Sequence, residues 1–283
     1  MCRFTFKAFA LLCVGVSFFG CSYSKKDREA IRAYYHLNKA VYSDHRSESD
    51  KLRDTYRNPI ETLRFFDIRP DMTVLEVSPG KGWYTQILGP YLSEGHLVLA
   101  LPRDNSDRSY HVANNKALRK IIQDNPDQYK NVTYTVFEPP VVMGPVAKPN
   151  SVDRILTFRN LHNWVGTGKG KESMEELFKA LKPGGILGIV DHRASLDKAQ
   201  DPKVKSGYIR EDYVIQLVEA AGFEFLAKTE INANYLDTKN YSNGVWTLPP
   251  SLRLQEKERA KYLAIGESDR MTLKFRKPRI SQK

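Results

Sequence analysis

The segment Val74-Leu75-Glu76-Val77-Ser78-Pro79-Gly80-Lys81-Gly82-Trp83-Tyr84-Thr85 constrains this chain more than any other. Its first four residues are apolar except for one carboxyl, which suits a short strand buried on both faces. Ser78-Pro79-Gly80-Lys81-Gly82 then stops any regular structure. Proline withholds a backbone donor, and the glycines reach positive φ at little cost. A helical pattern resumes at Trp83. A strand, a tight glycine turn and a helix begin a β–α–β unit, and such units build parallel sheets. The helix start also offers free amides and a positive dipole end, where a ligand carboxylate or ribose is well placed.

The rest of the chain keeps this rhythm. Strands are predicted at Thr73–Val77, His96–Leu101, Val132–Phe137, Asp153–Thr157 and Ile186–Val190, with two more near Phe223–Ile231 and Met271–Phe275. Helices are predicted at Trp83–Leu92, Val112–Asp124, Lys171–Leu181 and Glu211–Ala221. Ile186-Leu187-Gly188-Ile189-Val190 does not alternate, again as expected of a strand covered on both sides. The expected fold is α/β: a Rossmann-like, mostly parallel seven-stranded sheet flanked by helices, over residues 58–280. Asp27 to Thr55 reads as helical, broken near Ser43, and Asn58-Pro59-Ile60-Glu61 is a helix start. Asn232 to Pro250 is a long polar connection, expected to be a loop or a lid.

The N-terminus has its own grammar. Arg3 and Lys7 precede an apolar run, Ala8 to Phe19, that ends in Gly20-Cys21-Ser22. Residues 1–20 read as a signal peptide, too short in its apolar part to span a bilayer comfortably. The small residue before Cys21 resembles the lipobox of bacterial lipoproteins, which implies lipidation of Cys21; a short polar tether, Ser22 to Lys26, would follow, and residues 21–57 together read as tether and N-terminal helical segment. The expected location is therefore the bacterial periplasm or a membrane-anchored lipoprotein. All three cysteines, Cys2, Cys13 and Cys21, fall within this stretch, so the globular body has no disulfide, thiolate metal site or cysteine nucleophile. The formal charge of +11 is spread over scattered Lys and Arg, without an arginine tract interleaved with aromatics. No nucleic-acid partner is expected from it.

Three separated motifs resemble one family. Glu76, Gly80 and Gly82 match the acidic residue and the second and third glycines of motif I of class I S-adenosylmethionine (SAM)-dependent methyltransferases, with Ser78 in place of the first glycine. Leu181-Lys182-Pro183-Gly184-Gly185 resembles the turn before that family's fifth strand, and Ala220-Ala221-Gly222-Phe223 the turn before its sixth. The chain is similar, more closely, to a bacterial group of exported methyltransferases that share Arg53-Asp54, Arg57, the Pro79-to-Thr85 turn and Arg159-Asn160-Leu161-His162-Asn163-Trp164. The resemblance implies SAM as cofactor. It implies a cofactor site drawn from Glu76, Ser78, Gly80, Gly82, Trp83, Asp104, Glu138, Arg159 and Asn160. Asp104 stands near the usual ribose-binding acid, and Glu138 at the usual adenine-contacting one.

Ligands of open α/β sheets sit beyond the carboxyl ends of the strands, and residues 157–164 fall there. Methyl transfer needs an in-line approach, and a base if the acceptor must lose a proton; His162 is the catalytic candidate. Asn163, Trp164 and His192 are candidate substrate contacts. Trp164 or Trp83 could face a cationic sulfur. His162, Asp191 and His192 lack the tight spacing of a metal site, and no metal is expected. Two readings follow: a SAM-dependent methyltransferase acting on an unknown small-molecule or lipid acceptor, and an inactive envelope protein that binds through the same fold. A nicotinamide oxidoreductase is disfavoured because the turn lacks Gly-x-Gly-x-x-Gly.

Overall fold

The computed structural model describes residues 24–279. The expected signal segment, Cys21 and the last four residues lie outside the described residues. Helices α1 (Lys25–Val41), α2 (Glu48–Lys51), α3 (Asp54–Arg57) and α4 (Pro59–Phe65) come first. The alternating body follows: β1 (Thr73–Val77), α5 (Thr85–Tyr91), β2 (His96–Leu101), α6 (Ser109–Asp124), β3 (Val132–Val136), β4 (Val152–Phe158), α7 (Leu161–Gly166), α8 (Gly170–Ala180) and β5 (Leu181–His192). It closes with α9 (Glu211–Glu219), β6 (Glu224–Thr229), α10 (Arg259–Ile265) and β7 (Arg270–Arg276). No helix among these is long and apolar enough to cross a membrane.

The sheet has seven strands in the order β3-β2-β1-β4-β5-β7-β6. β1 to β5 pair in parallel, with Val77 beside Ala100 on one side and Thr157 on the other. Only β7 runs against its neighbours, pairing antiparallel with β5 and β6. Strand order reverses between β1 and β4, so the loops after these two strands part and leave a crevice at their carboxyl ends.

Both faces of the sheet are buried, as the non-alternating runs require. Leu75, Val77, Ile155, Leu187 and Ile189 point to one face, where Trp164, Met174, Leu177 and Val214 of α7, α8 and α9 cover them. Val74, Leu97, Leu99, Leu156 and Val190 point to the other, under Leu37 of α1, Leu63 and Phe66 of α4, and Ile87 and Leu88 of α5. Each such side chain contributes about 1.5–3 kcal/mol by leaving water. Gly188 sits in β5 because a Cβ there would lie 2.7 Å from the Phe66 ring.

Several boundaries differ from expectation for local reasons. The long N-terminal helix ends at Val41, and the chain continues as two single turns, each beginning a new approach to the body. Residues 83–84 belong to the turn, and α5 starts at Thr85. Short helices at 161–166 and 259–265 were not expected; neither carries an N-capping side chain. The connection after β6 is pinned down. Asn232 donates to Thr62 and Thr272 at 3.0 Å each, Tyr208 donates to Asp237 at 3.0 Å, and Val245 and Leu248 are buried. It is a strap stitched to the body.

Candidate active site

The crevice at the β1/β4 reversal is lined by Ser78 and Gly80 of the glycine turn, Phe137 and Glu138 after β3, and Asn160, Asn163 and Trp164 after β4. His111 and Asn115 of α6 close one side. The three residues of the turn that match the glycine pattern all have positive φ: 51° at Ser78, 62° at Gly80 and 84° at Gly82. Ser78 therefore holds the backbone conformation of the glycine it replaces, and its N–H donates to the Ala100 carbonyl at 2.8 Å. The two glycines do different work. A Cβ on Gly80 would meet no atom within 4 Å, so that space is open to a ligand. A Cβ on Gly82 would fall 2.4 Å from Leu118 Cδ1, so that glycine lets α6 pack on the turn.

The walls are fixed by polar ties. Asn160 Nδ2 donates to the Val77 carbonyl at 3.1 Å, joining the β4 loop to the glycine turn. The Glu138 carboxylate accepts from Arg103 N at 3.0 Å, Arg103 Nε at 2.9 Å and the Ser106 hydroxyl. Burial alone would raise that carboxyl, but the bonds from Ser106 and Arg103 hold it down at about 2. Trp164 packs edge-on to Phe137, with ring centroids 5.5 Å apart, and gives the crevice an apolar wall.

Four residues expected around the cofactor lie elsewhere. Glu76 is buried and accepts from Thr85 Oγ1 at 2.6 Å; burial pushes its carboxyl up to about 7. Asp104 turns away to Asn115 and Arg119, at 3.0 and 3.1 Å. Trp83 does attract cations, but they belong to the protein: the guanidinium carbons of Arg46 and Arg57 lie 5.0 and 4.6 Å from its ring centroid. Its indole N–H donates to the Asp50 carbonyl, so its place is under the N-terminal turns. Arg159, just after β4, joins a separate cluster of arginines.

This cluster makes a basin of positive charge beside the crevice. Glu267, just before β7, accepts from Arg53 Nε at 2.7 Å, Arg57 Nε at 3.1 Å and Arg270. Arg159 completes the cluster. Burial alone would raise the Glu267 carboxyl, but Arg270, Arg57, Arg159 and Arg53 hold it well below the usual carboxylate range. Burial, with repulsion from Arg270, lowers the Arg159 guanidinium to about 10. Arg57 is lowered further by burial and by Arg159.

His162 and His192 border the same basin, ring centroids 5.2 Å apart. Asp191, fully buried at the end of β5, grips His162 twice: at Nδ1, 2.7 Å, and at the backbone N–H, 3.0 Å. Asp191 accepts from Nδ1, which fixes the tautomer: whenever the ring carries one proton it sits on Nδ1, and Nε2 presents a lone pair. His192 Nδ1 is hydrogen-bonded to the Ser268 hydroxyl at 2.6 Å. Burial, then His162 and the arginines, push His192 well below its ordinary value, so it is neutral.

His162, Asp191 and His192 do offer ligand atoms within 4.8 Å of one another, closer than their sequence separation suggested. The chemistry there does not suit a cation. Both Asp191 oxygens already accept N–H groups, the third from His192 N at 2.8 Å, and several guanidiniums stand nearby. The arrangement is an aspartate–histidine dyad.

The helical spacing of Arg53, Asp54 and Arg57 suits either a cover over the site or a surface ion-pair ladder; Arg53 and Arg57 instead reach the buried Glu267, and Asp54 holds Arg46. No local motif marks Glu267 and Arg270, which join these arginines, or Ser268, which joins His192; they arrive because antiparallel β7 enters the sheet beside β5. A larger hollow of about 450 Å³ lies at the opposite edge of the sheet, lined by Tyr35, Lys39, Pro90 and Lys130.

No protein-family model and no curated protein sequence matches the chain. Solved structures do. The [4+2]-cyclase SpnF is 14% identical, with a TM-score of 0.54 over 91% of this chain and 97% of its own. A protein from Galdieria sulphuraria assigned as a sarcosine dimethylglycine methyltransferase is 13% identical, with a TM-score of 0.52 over 90% and 99%. The SAM-dependent methyltransferase SibL is 13% identical, with a TM-score of 0.51 over 82% and 57%. The chain thus has the α/β Rossmann-like fold of the SAM-dependent methyltransferases. At these identities the likeness concerns the fold alone, and a cyclase among the neighbours shows that the fold does not dictate the reaction.

Proposed function

We propose that the protein is a SAM-dependent methyltransferase in which His162 is the general base. The observation that carries this reading is the dyad: Asp191 fixes His162 Nδ1 at 2.7 Å and leaves Nε2 free, at the sheet edge beside the crevice. SAM is the expected cofactor, and the crevice fits it. Gly80 leaves open space for backbone approach, Phe137 and Trp164 give an apolar wall, and Glu138 supplies a fixed carboxylate. When bound, SAM supplies an electrophilic methyl group on a leaving sulfonium sulfur.

The chain's own residues do the rest. Asn160 braces the glycine turn so that the crevice keeps its shape. His162 Nε2 takes the proton that the acceptor heteroatom gives up as its lone pair bonds to carbon. Asp191 stabilises the resulting imidazolium, as a carboxylate on Nδ1 does.

We also propose that the chain is exported and tethered by lipid at Cys21, supported by the basic start, the apolar run and Gly20-Cys21. A lipid-modified cysteine as the mature N-terminus, read by mass spectrometry, tests that part.

Calorimetry of the full chain in detergent, titrated with SAM and S-adenosylhomocysteine, tests the enzyme. Micromolar binding of both is expected, and no binding at millimolar ligand would sink the reading. With labelled SAM and an envelope extract, His162→Ala should lower methyl incorporation about 10²–10⁴-fold with cofactor affinity intact. Equal incorporation would remove His162 from catalysis.

A further inference from the structure

We propose that the basin formed by Arg53, Arg57, Arg159 and Arg270 binds an anionic group, a carboxylate or a phosphate, on the methyl acceptor and so presents that acceptor to His162. The inference takes its acceptor from the methyltransferase reading, but the anion site itself stands on its own observations.

The first observation is charge. Four guanidiniums gather around Glu267, and the other carboxylate close to Arg159, Asp191, is engaged with His162. Like charges held out of water repel, and each buried ion without a partner costs several kcal/mol. Internal acceptors do not make up the deficit. Glu267 receives three arginines, while Arg53 Nη2, Arg57 Nη2 and Arg270 Nε remain buried without a hydrogen-bond partner.

The second observation is Arg159. Its backbone is held at φ 63°, with its N–H on the Val190 carbonyl at 2.7 Å, so the chain spends strain to aim this residue. Among the described residues its guanidinium makes no hydrogen bond and no ion pair. It is half-buried and not sealed, unlike Arg57 and Arg270, which are each 3% exposed. A planar fork of donors that is not fully sealed, has no internal partner and is backed by three more cations is suited to an oxyanion.

The third is position. The basin lies at the carboxyl edge of β4 and β5, against His162 and His192, while the crevice lies at β1 and β4. An anion seated on Arg159 would hold the rest of its molecule between the two.

The test is calorimetric titration of the full chain in detergent with inorganic phosphate and, separately, with acetate, at constant ionic strength balanced with chloride. Saturable binding of at least one is expected. Phosphate alone identifies a phosphate-bearing acceptor, and acetate, with or without phosphate, a carboxylate-bearing one. Arg159→Gln should weaken the binding about tenfold or more. Glu267→Gln, which removes the competing internal anion, should strengthen it. The opposite signs keep the test readable if one variant fails to fold. No saturable binding of either anion, or affinities unmoved in the variants, overturns the proposal. Arg159→Gln should leave S-adenosylhomocysteine affinity unchanged. If anions bind but that ligand does not, the methyltransferase reading falls and the anion site remains.

Discussion

The crevice and the basin lie side by side at one edge of the sheet, yet they are built by opposite means. The crevice is mostly local: a turn of five residues, Ser78 to Gly82, sets its floor through backbone angles. The basin is assembled from afar, with Arg53 and Arg57, Arg159, His192, and Glu267 and Arg270 arriving from four parts of the chain. Their electrostatics also oppose each other. Two buried carboxyls show it: Glu76, under the crevice, has no cation in contact and is pushed up, while Glu267, in the basin, is surrounded by arginines and pulled down. One region is shaped for backbone contact and the other for charge.

The largest effect that can break this contrast is within the crevice itself. If Gly80 serves a ligand and Gly82 serves packing, valine at the two sites should fail differently. Gly82→Val must displace Leu118 and hold a β-branched residue at φ 84°. Overpacking and strain together should cost about 3–4 kcal/mol, read as a lower denaturation midpoint. The Cβ of Gly80→Val meets no protein atom within 4 Å, so this variant should lose mainly the strain, about 1–2 kcal/mol. Its binding of S-adenosylhomocysteine should fall about a hundredfold or more, some 3 kcal/mol. Equal stability losses at both sites would erase the distinction.

The pH dependence sharpens the contrast between the two carboxyls. The folded Glu76 carboxyl, at about 7, lies above its unfolded value of 4.5. The native state therefore holds the proton more tightly than the unfolded state. The contribution is fully favourable below 4.5 and is lost as pH rises through 7, a change of about 3 kcal/mol. Glu267 has the opposite sign: its contribution is present above 4.5 and is lost as pH falls below that value. Glu76→Gln should flatten the decline in stability between pH 4.5 and 8, measured by denaturant midpoints, and leave the acid limb in place. An unchanged decline would mean that Glu76 does not titrate as its burial requires.

The same contrast explains what could be read from the sequence. Strand–helix rhythm and the Val74–Thr85 turn announced the sheet, its buried faces and the crevice, because those depend on neighbours in sequence. Ser78, Gly80, Glu138, Asn160, Asn163 and Trp164 do line that crevice. Trp83 and Asp104 did not follow the pattern, because their partners, Arg46, Arg57 and Arg119, come from the N-terminal segment and α6, whose packing no local motif encodes. The basin was out of reach for the same reason. Its key pairing joins Arg53 to Glu267 across nearly the whole chain, and depends on the antiparallel insertion of β7.

The smallest effect tests the crevice at the residue that departs from the glycine pattern. Ser78 stands at φ 51°, where a side chain costs about 1–2 kcal/mol. Its hydroxyl has no hydrogen-bond partner among the described residues, so nothing local offsets that strain. Glycine would relieve it but adds about 0.5–1 kcal/mol of chain entropy to the unfolded state. Ser78→Gly should therefore raise stability by only about 0.5–1 kcal/mol, a shift of a few degrees in melting temperature. The turn already has the glycine-like geometry, so affinity for S-adenosylhomocysteine should not rise along with it. A marked gain in affinity would show that the Ser78 side chain obstructs the crevice. The turn would then have kept the backbone shape of a cofactor site while losing part of its fit, and the inactive reading would gain at the expense of the enzyme.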